Sequence, residues 1–187
     1  MVFYICLDTL MRNWKASRSW AQKKKKYYKY SNSLININNL NSIFFSIIFL
    51  VLGVVTSLSL PPFNYVFINF ITISIFFLLL QKIVSKNKLR NFFAGYFFGF
   101  GYFLASLYWI SNSLRFDEIF NFLIPATIIG VPLFLAIFYG LTTLIFSFIK
   151  TELSIKDILV FSIIFSLCEF TRGFILTGFP WNLIAYS

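Results

Sequence analysis

Residues 155–181 read IKDILVFSIIFSLCEFTRGFILTGFPW. From Ile155 to Leu176 the run is apolar and helix-compatible, and about 20 such residues are what a helix needs to cross a hydrocarbon layer. The run closes on a carboxylate, Glu169, a guanidinium, Arg172, and the turn Gly178-Phe179-Pro180-Trp181. These residues are the part of the chain that packing explains least. An ionisable pair costs free energy in hydrocarbon, so its presence calls for a polar cavity, a head-group contact or a partner domain. Three residues apart on a helix, Glu169 and Arg172 share a face and can pair. A structural ion pair is one reading; the other is functional, because arginine is suited to binding phosphate or carboxylate. Gly173 and Gly178 allow close approaches that a side chain would obstruct, while Pro180 and Trp181 predict a rigid re-entrant or interfacial elbow.

The composition around this segment places it in a membrane protein. With 59% hydrophobic residues, 12% charged residues and 27 phenylalanines in 187 positions, the chain is far more apolar than a soluble domain. No histidine is present and only Cys6 and Cys168 supply thiols, which argues against a metal centre and against a disulfide framework. Cys168 lies in an apolar run and reads as a small hydrophobe, since a reactive thiolate needs an electropositive, wetted setting.

Five spans are expected, at about 43–60, 65–80, 92–112, 120–148 and 155–176, and they define an all-α polytopic helix bundle. Pro61-Pro62, the stretch Lys82 to Arg90, the stretch Arg115 to Glu118 and the stretch Lys150 to Asp157 separate them. If the helices alternate in direction, Lys82, Lys86, Lys88 and Arg90 fall on the side of the basic N-terminal arm. The bias of cytoplasmic loops toward lysine and arginine then sets the N-terminus inside. In the third span Gly95, Gly99 and Ser106 recur near one face, with Gly101 and Ala105 on the next stripe, as close helix packing in lipid requires. In the fourth, Pro125, Gly130, Pro132 and Gly140 predict a kinked or tilted helix.

Residues 1–42 form a basic arm, expected to be disordered, with Arg12, Lys15, Arg18, Lys23 to Lys26 and Lys29 set against a single acid, Asp8. The interleaving of Lys23 to Lys29 with Tyr27 and Tyr28 could serve nucleic acid, but a juxtamembrane polybasic segment drawn to anionic lipid is the reading adopted, with no nucleic-acid partner.

The segment EFTRGFILTGFPWNLIAYS, Glu169 to Ser187, resembles the characteristic segment of the apolipoprotein N-acyltransferases of bacterial cytoplasmic membranes. There a Glu-Phe-x-Arg-Gly helix end leads into Leu-Thr-Gly-Phe-Pro-Trp. Upstream, SLSLPPFNYVFINFITI resembles that family's first hairpin and GYFFGFGYFLASLYWISNSL its glycine-rich third helix, so the likeness runs in order from about Ile43 to Ser187.

The resemblance implies an inner-membrane enzyme of lipoprotein maturation. It would move an acyl chain from a phospholipid to the N-terminal amino group of a lipoprotein's diacylglyceryl-cysteine. It further implies a Glu-Lys-Cys triad in a nitrilase-like domain outside the membrane, acting through a thioester and needing no cofactor or metal. None of those three residues is assigned among these 187, and neither Cys6, Cys168 nor Glu169 takes a catalytic role. The expectation is that the chain is the membrane portion, a piece of a longer product or a split form that works with a nitrilase-like domain in cis or in trans. Candidate residues for the substrate rim or elbow are Glu169, Arg172, Gly178, Pro180 and Trp181. Two readings from other classes stay open: a carrier or channel subunit, whose kinked fourth helix and Glu169-Arg172 pair would line a pathway, and a non-catalytic membrane scaffold.

Overall fold

The computed structural model describes residues 41–83, 87–109, 122–149, 155–175 and 184. The regular elements among the described residues are all helices, without strands: α1 (Ser42–Ser57), α2 (Phe67–Lys82), α3 (Lys88–Ser106), α4 (Val131–Ile149) and α5 (Ile155–Ile175), with a π-helical turn over Ala126–Gly130 leading into α4. Two stretches, Ala126–Ile149 and Ile155–Ile175, are long and apolar enough to cross a membrane, while α1 and α2 are shorter apolar helices. The basic arm to residue 40, residues 110–121, and Lys86, Lys150, Gly178, Pro180 and Trp181 lie outside the described residues.

The helix ends depart from the expected spans for local reasons. Helix α1 stops at Ser57, short of Leu60, because the chain turns there. Leu60 O accepts from Phe63 N and Asn64 N, and Tyr65 N returns to Leu58 O at 3.1 Å. Asn64 takes the left-handed conformation (φ 56°) that asparagine tolerates better than most residues. Helix α3 begins at Lys88, earlier than the apolar run, because the Asn87 side chain caps it by accepting from Arg90 N at 3.1 Å. The long stems of Lys88 and Arg90 then reach other helices. Lys88 Nζ donates to Ser147 O at 2.7 Å and lies 4.0 Å from the centre of the Phe148 ring, and the Arg90 guanidinium covers Phe45 at 4.4 Å.

Helix α3 is the centre of the bundle and packs most extensively on α4 and α1. Its glycines make this possible. A Cβ at Gly95 would collide with Thr143 and Tyr139 O, and one at Gly99 would meet the Tyr139 side chain, so that stripe faces α4. Gly101 lies against the backbone of Leu50, and Gly53 of α1 answers it by lying against the backbone of Phe98 and Tyr102. The fourth-span expectation holds in part. The irregularity falls on the π turn just before Pro132, a residue that has no N–H to give the helix ladder. Gly140 makes no break; it admits the Phe92 ring, whose Cε2 lies 2.7 Å from where a Cβ would stand.

Contacts at the helix ends fix relative direction. Gln81 Nε2 donates to Asp157 Oδ2 at 3.2 Å, Lys88 meets Ser147, and Arg90 meets Phe45. The starts of α1, α3 and α5 therefore share one end with the finishes of α2 and α4. The turn at 58–66, the finish of α3 and the Glu169-Arg172 pair belong to the opposite end.

A ladder of rings fills the interior: Phe76 stacks on Phe98 with centroids 4.1 Å apart, and Phe161 touches Phe76, Phe77 and Phe146. Outside, the usual distribution is inverted. Phe174 is 79% exposed while Arg172, two residues away, is 1% exposed. Hydroxyls on exposed faces close back on their own helices, as Ser46 does on Ser42 O, Ser74 on Phe70 O, Ser162 on Ile158 O and Thr171 on Leu167 O.

Candidate functional site

Helix α5 carries Glu169 and Arg172 on the face that turns into the bundle. The pair expected from their spacing forms, with Arg172 Nε 3.4 Å from Glu169 Oε1. Both residues are buried. Burial of a charged pair is unfavourable unless partner charges and hydrogen bonds replace lost solvation, so their neighbours matter.

Those neighbours come from three other parts of the chain. From α3, Phe103 lies under the Arg172 guanidinium, 5.0 Å from ring centre to Cζ, an attractive cation-to-ring contact. Phe103 is held edge-on by Tyr102 and by Tyr139 of α4, each with centroids 5.2 Å away. Tyr102 and Tyr139 are both within electrostatic reach of Glu169 and Arg172. From beyond α5, Ile184 N donates to Glu169 Oε2 at 3.1 Å, and the Ile184 side chain packs on the bundle core. Glu169 thus divides its two oxygens, one toward Arg172 and one toward the backbone of the segment that follows the helix.

Of the residues singled out from sequence, Glu169 and Arg172 come together, while Gly178, Pro180 and Trp181 fall outside the described residues. Tyr102, Phe103, Tyr139 and Ile184 complete the site and were not foreseen. A signal for the tyrosines did exist: in a chain with 27 phenylalanines, a hydroxyl-bearing ring in mid-helix needs a polar neighbour. Cys168, beside Glu169, donates its thiol to Phe138 O at 3.0 Å and ties α5 to α4. The described residues contain no cluster of His, Cys, Asp and Glu fit for a metal.

The fold and the site together define a helical bundle with apolar outer faces and an arginine–carboxylate pair enclosed by aromatic rings near one end. Comparison with known proteins gives that class a family. The family model for the apolipoprotein N-acyltransferase N-terminal domain matches residues 52–187, and the chain belongs to this family. Among its relatives, the apolipoprotein N-acyltransferase of Allorhizobium ampelinum is 37% identical over 144 residues, which is 72% of this chain and 27% of that protein. Those of Brucella melitensis biotype 1 (34% over 143 residues, 72% and 27%) and Rhodopseudomonas palustris (36% over 147 residues, 76% and 27%) are similar to the same extent. The chain spans about a quarter of the length of these curated relatives.

Proposed function

We propose that this chain forms the membrane-embedded portion of an apolipoprotein N-acyltransferase. That enzyme would transfer an acyl chain from a phospholipid to the N-terminal amino group of a diacylglyceryl-cysteine lipoprotein. The match of residues 52–187 to the family's N-terminal domain carries the reading. The inverted surface supports a multi-pass placement in the bacterial inner membrane: apolar side chains cover the outer faces, and outward hydroxyls are satisfied within their own helices, as hydrocarbon surroundings require. All five helices would cross, α1 and α2 as short spans, with the N-terminus inside.

In this reading the Glu169-Arg172 pair shapes the outer rim of the site. Arg172 is 1% exposed, which favours action through Glu169 over direct contact with a head group. The carboxylate, oriented by Arg172, holds the backbone at Ile184 and so fixes that point of the chain against the bundle. Lipid acyl chains would enter laterally between helices, and the phosphate and the lipoprotein's head would lie at this rim. The chemistry itself is assigned to a nitrilase-like domain supplied with this portion. Cys168 is unsuited to it, since its thiol is engaged with a helix carbonyl.

A chimera tests this. Residues 52–187 replace the matching segment of the Brucella melitensis relative, in cells depleted of their own enzyme, and lipoprotein N-termini are read by mass spectrometry. The expected result is triacylated lipoprotein from the chimera and none from residues 1–187 expressed alone, because covalent acyl transfer needs a positioned nucleophile and base. A chimera that accumulates in the membrane yet acylates nothing, or transfer by residues 1–187 alone, overturns the assignment.

A further inference from the structure

At the end of the bundle opposite the Glu169-Arg172 pair, a cleft of about 360 Å³ opens between the starts of α1 and α3. Its lining changes character along the helices. The helix starts contribute polar side chains, Ser42 and Ser46 of α1 and Asn87 and Arg90 of α3. Further along, Phe93 and Phe97 continue the same face of α3, and Phe45 lines the α1 side. From Asn87 to Phe97 is ten residues, so the graded wall runs for about 15 Å along the helix. Among the described residues, no acidic side chain lines it and the one charged residue is Arg90, whose guanidinium is braced over the Phe45 ring at 4.4 Å. A cation and the Ser42 hydroxyl at the helix starts, with aromatic rings further along the helices, match an amphiphile with an anionic head and an apolar tail.

We propose that this cleft is a binding site for an anionic phospholipid of the leaflet in which α1 and α3 begin, distinct from the rim at Glu169 and Arg172. The lipid phosphate would sit against Arg90 and Ser42, with the upper part of one acyl chain against Phe93 and Phe97. Arginine suits this position because its planar donors can bind two phosphate oxygens at once. The inference rests on the membrane placement proposed above.

The test reads the cleft from inside. In the protein with Trp14, Trp20, Trp109 and Trp181 replaced by phenylalanine, Phe97→Trp places a single fluorophore in the cleft. The protein is reconstituted in phosphatidylcholine vesicles containing either brominated phosphatidylglycerol or brominated phosphatidylcholine at equal mole fraction. Quenching by the phosphatidylglycerol should correspond to about a fivefold local enrichment, the worth of one arginine near an anionic lipid. Arg90→Gln should remove that preference while leaving quenching by phosphatidylcholine unchanged. Equal quenching by both lipids with Arg90 intact overturns the site and leaves the membrane placement standing; no quenching by either overturns the membrane placement as well. If Phe97→Trp does not accumulate, Phe93→Trp, at an exposed position on the same wall, carries the same measurement with the same outcomes.

Discussion

Replacing Arg172 by leucine would leave the Glu169 carboxylate buried without its partner, a change that costs about 3–5 kcal/mol when a buried pair is broken. The double variant Glu169→Gln/Arg172→Leu removes both charges, and the glutamine carbonyl can still accept from Ile184 N. Thermal unfolding in detergent should therefore show a large loss for Arg172→Leu and recovery of most of it in the double variant. Equal midpoints for the parent and Arg172→Leu would mean that the pair adds nothing to stability. Activity separates the roles. In the chimera, Arg172→Leu and the double variant should both lose acyl transfer, the latter because no arginine then orients the residue that holds Ile184, while Arg172→Lys keeps part of it, because lysine keeps charge but not the planar fork. Full transfer by the double variant would reduce the pair to packing. The pairing itself was legible in the sequence, since a three-residue spacing on a helix leaves little choice of neighbour. The contributions of Tyr102, Phe103, Tyr139 and Ile184 were not, because they come from segments far from Glu169 in the chain.

The elements meet through missing side chains. Gly53 has its Cβ position occupied by the backbone of Phe98 and Tyr102, so Gly53→Ala must push α1 off α3 and is expected to cost about 1–3 kcal/mol, the usual penalty of overpacking. Gly130, in the π turn, has nothing within 4 Å of the same position. Gly130→Ala should be neutral or stabilise by up to about 1 kcal/mol through helix propensity. Thermal midpoints of the two variants, measured side by side in detergent, check this; a loss at Gly130 equal to that at Gly53 would contradict the packing described. Sequence spacing showed that Gly95, Gly99 and Gly101 belong to close-packed faces, but not which helix each face meets. For Gly140 the sequence suggested a break; the helix runs through it, and the place of its missing side chain is taken by a ring from another helix, Phe92.

For the molecule as a whole, the arrangement of ends predicts which loops share a side. With Cys6 and Cys168 replaced by serine, which preserves a donor for Phe138 O, cysteine at Phe63 should react with an impermeant thiol reagent added outside intact cells, and cysteine at Asn87 should react only after permeabilisation. The reverse pattern would invert the topology. That the described residues form an all-helical bundle was determined by the sequence alone, because each described helix is a local run of apolar residues. The direction of the Glu169-Arg172 pair into the bundle, its closure by rings from α3 and α4, the grip of Glu169 on Ile184 and the graded cleft between α1 and α3 were decided by the tertiary structure. Hydropathy reports how much apolar surface a helix carries. It does not say which part of that surface a neighbouring helix covers, and it is that choice, made by the small residues at each crossing, that places a buried charge beside its partners.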